Sequence, residues 1–257
     1  MCDEWMPVLQ LPLTIEQFHR LPRNPAYKYE YIEGSARLTP RADHYHALLD
    51  LESFVEEQTA IGERMGIRTV QAGDWPALED LFRSAFGFFQ PFGSLDEETL
   101  ARAARTCLQR TRSAGDGPWI EPASFVAVDR PAGQIVGVIL LTLLPGGDPC
   151  SWDSFYWGEA PPPPDLLARR AGQPHLTWIF VSPMEAGTGI GSLLLARCVR
   201  ALRELGYADL WSTFVVGNDS SLLWHWRSGF RLLPYPSSRR RMLQVFQQKK
   251  FEQQETE

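Results

Sequence analysis

The chain has 257 residues, 44% of them hydrophobic, and a formal net charge of -6. That composition supports an ordinary globular core, while the acidic balance argues against a nucleic-acid partner, whose binding rests on neutralised phosphates. Cys2, Cys107, Cys150 and Cys198 form no CxxC pair, which speaks against a zinc site or a disulfide scaffold. No run is apolar for long enough to span a bilayer and the opening residues carry no signal-peptide pattern, so a cytoplasmic protein with reduced thiols and no metal is expected.

In chain order, residues 1–62 read as a small helix/hairpin extension. Thr14 to Leu21 predicts a short helix with Thr14 as N-cap and Gln17 completing a capping box. Tyr27 to Thr39 alternates around Glu33-Gly34 and predicts a hairpin. Ala47 to Ile61 shows helical spacing at Leu48, Leu51, Phe54 and Val55.

Residues 63–246 read as the main domain. Ile67 to Gln71 predicts a strand; Asp74 and Ser94 are expected to cap helices running to about Phe86 and Thr111. Ser124 to Asp129 and Ile135 to Leu144 predict strands joined at Pro131-Ala132-Gly133. A long loop containing Pro161 to Pro164 follows, then a strand at His175 to Val181. Gly189 to Leu205 predicts a helix stopped by Gly206. Leu210 to Val216 predicts a strand, Ser220 to Ser228 a short helix, and Phe230 to Leu233 and Arg241 to Phe246 closing strands. Residues 247–257 form a polar tail. The element order is α/β with a mixed sheet.

The sharpest motif is Ala186-Gly187-Thr188-Gly189-Ile190-Gly191-Ser192, a glycine run opening a helix. Such a run lets backbone N–H groups converge at the positive end of the helix dipole, a site suited to a pyrophosphate. No Gly-Lys-Ser/Thr ending is present, so it is not a nucleotide-triphosphatase loop. Nor do the glycines follow the strand directly, with an acid ending the next strand, as a dinucleotide fold requires.

Together with Ile179-Phe180-Val181-Ser182-Pro183 and the stretch from Asn218 to Gly229-Phe230, this motif resembles the GCN5-related N-acetyltransferase (GNAT) superfamily over about residues 67–246. The resemblance implies a mixed, mainly antiparallel sheet flanked by helices, and transfer of an acetyl group from acetyl-CoA to an amine of a small molecule or protein. It implies that Ile179, Phe180 and Val181 pair with the pantetheine arm, that Gly187, Thr188, Gly189, Ile190, Gly191 and Ser192 hold the pyrophosphate, and that Asn218 touches the cofactor near the thioester. Two positions depart from the family pattern. Its Arg or Gln is Ala186 here. Its tyrosine, which protonates the leaving thiolate, is His225, and an imidazolium can supply that proton. These departures favour the alternative of a non-catalytic acyl-CoA binding or sensor module.

The general base stays open between Thr213, His175, Asp153, Glu159 and a water. Aromatic clusters at Phe86, Phe88, Phe89 and Phe92, and at Trp152, Phe155, Tyr156 and Trp157, either enclose the acceptor or form a satellite core with the N-terminal unit. Thr14 to Pro40 also resembles the opening of a PD-(D/E)XK nuclease, but the acidic residues such an enzyme needs do not follow. A cap on the sheet or a homodimer contact is the expected role of this unit.

Overall fold

The computed structural model describes residues 8–23, 27–40, 44–56, 64–89, 92–146, 163 and 165–233. A three-stranded sheet is built from β1 (Leu9–Pro12), β2 (Tyr27–Ile32) and β3 (Ser35–Pro40) in the order β1-β3-β2. Between its first two strands lies α1 (Ile15–Arg20). Its capping box forms as expected, Gln17 N donating to Thr14 Oγ1 at 3.2 Å and Thr14 N to Gln17 Oε1 at 2.8 Å. The β2–β3 hairpin turns at Glu33 and Gly34 with φ of 50° and 77°. Phe18, Tyr27, Ala36 and Leu38 form this unit's own core, against which Val215 of the main sheet packs.

The main sheet has seven strands in the order β10-β4-β9-β8-β7-β6-β5. These are β4 (His44–Asp50), β5 (Met65–Thr69), β6 (Phe125–Asp129), β7 (Gln134–Leu144), β8 (Gln173–Val181), β9 (Asp209–Val215) and β10 (Arg231–Leu232). Every neighbouring pair is antiparallel except β8 and β9. Residues 44–50 correct the sequence expectation of a helix from Ala47 to Ile61. They form a strand, and its buried residues Ala47 and Leu49 point inward at a period of two. The main sheet therefore takes a strand from ahead of residue 62, and that strand holds the place between β9 and β10. The strand expected at 241–246 lies outside the described residues, as do the tail and the four-proline run apart from Pro163.

Helices cover both faces. On one, α2 (Trp75–Phe86) and α3 (Glu97–Arg112) pack Leu78, Phe82, Ala104 and Leu108 against Val126, Val138, Leu140 and Phe180. On the other, α4 (Ile190–Glu204) packs Leu194, Cys198 and Leu202 against Ile139, Leu141, Leu143 and Leu176. Successive residues of β7 thus serve opposite cores, as the alternation of a central strand demands. Two caps differ from expectation. Asp96, not Ser94, caps α3 by accepting from Thr99 N at 2.7 Å. Asp74 stands at the N-cap of α2 but spends its carboxylate on Gln71 N at 2.7 Å and on Arg68 at 2.6 and 2.8 Å.

The parallel β8–β9 ladder is short, with His175 opposite Trp211 and Leu176 opposite Ser212. Beyond those pairs no ladder joins the two strands, and Thr177 to Val181 and Thr213 to Val215 line a cleft between them. At the mouth of the split, β8 carries an irregularity: Leu140 faces Trp178 and Leu141 faces Leu176, leaving Thr177 as the extra residue.

Candidate active site

One continuous cleft of about 1230 Å³ runs from the N-terminus of α4 to the turn after α3. That exceeds the ~300–1,000 Å³ that hold a single small ligand, so the space suits two molecules side by side.

The first half is built from backbone. A 3-10 turn at Pro183–Glu185 leads through Ala186 to Gly187 at φ 78° and Gly189 at φ 97°, left-handed conformations that a residue with a Cβ resists. The first internal bond of α4 is Leu193 N to Gly189 O at 3.0 Å, and no side chain caps the helix. The N–H groups of Ile190, Gly191 and Ser192 precede that bond and have no helical acceptor, which leaves them for an anion. Trp224 lies directly over Gly191, where an added Cβ would meet its Nε1 at 2.9 Å. Arg64 pins the loop by bonding Glu185 at 2.6 Å and Asp129 of the β6–β7 hairpin at 3.0 Å. The β9-facing edge of β8 has no strand partner from Thr177 onward, so the backbone of Ile179 to Val181 is open there. Asn218 is the N-cap of α5 (Asp219–Arg227), its Oδ1 accepting from Ser221 N at 3.0 Å.

His225, expected from the sequence as an imidazolium that donates to the thiolate, is enclosed by the fold. It is 2% exposed, stacked on Phe214 at 4.2 Å and edge-on to Trp224 and Phe230. Its Nδ1 lies 2.7 Å from the Ser221 carbonyl, which only accepts, so Nδ1 carries the proton. Nε2 then accepts from Ser212 Oγ at 2.7 Å. Burial lowers its pKa to about 4. Both ring nitrogens are engaged in the fold. Its observed work is to tie α5 to β9.

The second half is built from side chains. His175 is buried, with Nδ1 3.1 Å from Thr177 Oγ1 and Nε2 3.1 Å from Thr213 Oγ1. Thr177 Oγ1 lies 2.8 Å from Thr142 Oγ1, which donates to the Asp116 carbonyl at 2.9 Å. Burial, with the neighbouring histidines His46, His44 and His225, lowers the His175 pKa to about 3, so it is uncharged near neutral pH. Asp116 is held above the usual carboxylate range by burial, against the opposing pull of Thr111 at 2.8 Å and Arg110 at 2.6 Å. Phe86 and Phe92 make tilted or edge-on contacts with Phe82 and with each other, and Phe86 also meets Trp178 and Phe180, so those rings belong to the α2–β8 core and not to the N-terminal unit. Phe88 is exposed, and Phe89 lines the cleft. Arg203 of α4 donates to the carbonyls of Leu51 and Phe54 and Arg200 pairs with Glu56; this holds the turn after β4 where Phe54 and Val55 reach the cleft. Asp153, Glu159 and the 152–157 aromatics lie outside the described residues.

Of the expected residues, Ile179 to Val181, Gly187, Gly189 to Ser192, Asn218, His225, His175 and Thr213 all line this cleft. Sequence reasoning missed Ser212, Thr177, Thr142, Arg110 and Asp116, none of which sits in a recognisable motif. Among the described residues no cluster of His, Cys, Asp or Glu has the makings of a metal site.

The site combines an uncapped, glycine-opened helix N-terminus with a split between two parallel strands. Residues 75–230 match the model of the Acetyltransferase (GNAT) family, and the chain belongs to that family. Among solved structures it is similar to a GCN5-related N-acetyltransferase from Sphaerobacter thermophilus, at 17% identity and TM-score 0.45, over 74% of this chain and 48% of that one. It spans under half of that relative's length. It is also similar to a GNAT acetyltransferase from Brucella melitensis in complex with acetyl-CoA, at 19% identity and TM-score 0.43, over 66% and 88% of the two chains. A third is the PaiA N-acetyltransferase from Thermoplasma acidophilum in complex with coenzyme A, at 16% identity and TM-score 0.37, over 55% and 74%. No curated protein matches the sequence.

Proposed function

We propose that the chain is an acetyl-CoA-dependent N-acetyltransferase acting on an amine of a small molecule or protein. The observation that carries this reading is the single cleft joining the open N-terminus of α4 to a chamber large enough for a second substrate. Acetyl-CoA is a substrate here. Its pyrophosphate is held by the N–H groups of Ile190, Gly191 and Ser192, with Gly187 and Thr188 in the approach and Ser192 closing the first turn. Its pantetheine arm runs along the open edge of Ile179, Phe180 and Val181. Asn218, whose Oδ1 caps α5, keeps its amide nitrogen as a donor for the cofactor.

The amine nitrogen attacks the thioester carbon, an N–C bond forms and the C–S bond breaks; the nitrogen loses one proton and the thiolate gains one. An alkyl thiol of pKa ~8.5 is a tolerable leaving group as its anion, so solvent can supply its proton and no acid in the fold is required. With His225 and His175 neutral and engaged, the chain's contribution is to hold both substrates in line and exclude water.

A second reading, a non-catalytic acyl-CoA binding module, is favoured by the locked state of His225 and by Ala186. Thiol release from acetyl-CoA in the presence of an amine panel separates the two. Amine-dependent release supports the transferase; tight CoA binding by calorimetry with no release supports the module.

A further inference from the structure

Extending the transferase reading, we propose that Thr213 receives an N–H of the acceptor's amine, and that the acceptor is a primary amine on an apolar body.

The direction of every hydrogen bond beside Thr213 follows from one carbonyl. The Asp116 carbonyl can only accept, so Thr142 spends its single hydroxyl proton there. Thr177, 2.8 Å from Thr142, must then donate to it, since two oxygens that close need a proton between them and the competing His175 carbonyl is farther, at 3.4 Å. With its proton spent, Thr177 accepts from His175 Nδ1–H. His175 Nε2 is left bare and takes the proton of Thr213 at 3.1 Å. Thr213, half-buried and lining the cleft, consequently shows the substrate lone pairs alone. An amine or ammonium N–H suits that surface; a bare carbonyl or carboxylate is repelled. Holding one N–H also orients the nitrogen's own lone pair once the amine is neutral.

The extra residue in β8 is what places the Thr177 hydroxyl in this row, beside His175 and opposite Thr142. Ser212, the next residue along β9, repeats the logic on the other side of the strand by donating to His225. Ser212 is 1% exposed, however, so only Thr213 offers its oxygen to a ligand.

The apolar part of the cleft's lining sets the rest of the molecule. Phe54, Val55, Phe86, Phe89, Leu144 and Trp178 line the cleft. Val55 is 80% and Phe89 39% exposed, so apolar surface is uncovered there that a ligand's hydrocarbon or ring would bury.

The test is steady-state kinetics on the full chain with acetyl-CoA and either 2-phenylethylamine or ethanolamine. The wild type is expected to favour 2-phenylethylamine; equal or better use of ethanolamine overturns the apolar class. Thr213→Val, nearly isosteric, is expected to raise the amine KM roughly tenfold and leave the acetyl-CoA KM unchanged, with Tm lowered because His175 Nε2 loses its donor, whereas Thr213→Ser stays within about twofold of wild type. His175 is a positioning residue acting through Thr213. His175→Phe is therefore expected to raise the amine KM in the wild type and to add little in the Thr213→Val background. An unchanged amine KM in Thr213→Val, or fully additive effects of the two changes, overturns the assignment of Thr213. Amine-independent or absent thiol release from the wild type instead removes the transferase reading itself, and this proposal with it.

Discussion

The two halves of the cleft are made by different means. The half proposed for the coenzyme is backbone: an uncapped helix end, left-handed glycines and an unpaired strand edge. The half proposed for the acceptor is side chains drawn from β7, β8, β9, the turn after α3 and the turn after β4. A backbone site depends on few residue identities and tolerates drift elsewhere. A side-chain site depends on many residues, each of which can change the ligand it fits. On the proposed function, the acyl donor is set by local geometry and the acceptor by tertiary neighbours.

The largest expected effect comes from breaking the coenzyme half. In Gly189→Asp the new carboxylate competes for the N–H groups of α4 and strains a φ of 97°, so CoA affinity measured by calorimetry should fall about a hundredfold or more. Normal binding would place the site elsewhere.

His225 sharpens the contrast between fold and chemistry. His225→Phe leaves the Ser212 hydroxyl without its partner and should cost about 1–3 kcal/mol in urea unfolding, with turnover per folded molecule within about threefold of wild type. A proton donor would behave in the opposite way, losing ~10²-fold or more in rate at little cost in stability.

The buried imidazoles predict a pH signature. His46 and His225 are lowered to about 4 and His175 to about 3, chiefly by burial. A histidine titrates near 6.5 when unfolded, so the unfolded chain binds protons first. Stability is full above pH ~6.5 and is lost on acidification towards the folded pKa values, by up to about 1.4 kcal/mol per pH unit per histidine. Asp116, raised by burial, works in the opposite sense at the lower end of that window. Tm should drop between pH 7 and 5, and less steeply in His225→Gln; a flat Tm would mean these imidazoles are hydrated. The smallest effect is at the loop: Ala186→Arg should tighten CoA binding roughly three- to tenfold, since a partly exposed guanidinium gains less than a buried one from a phosphate. Weaker binding would mean that position 186 faces away from the pyrophosphate.

Legibility in the sequence follows the same division. The glycine run, the capping box at Thr14 and the alternation around Glu33-Gly34 are local signals, and the structure reproduces them. Residues 47–55 misled because Leu48, Leu51 and Phe54 repeat every three residues, while the burial of Ala47, Leu49 and Leu51 follows a period of two, set by pairing with β9. A short apolar run holds both periods, and only the neighbour decides. His175, Thr177 and Thr142 carry no motif because their relation is created by an irregular β7–β8 register. His225 was visible as a residue but not as a locked one, since its partners Ser212 and Ser221 come from β9 and from the start of its own helix.

If both halves belong to one cleft, acetyl-CoA and amine must be bound together when the acetyl group moves. Initial rates measured while varying acetyl-CoA at several fixed concentrations of 2-phenylethylamine should give intersecting double-reciprocal lines. Parallel lines, the mark of an acyl-enzyme formed before the amine arrives, would contradict direct transfer within this cleft.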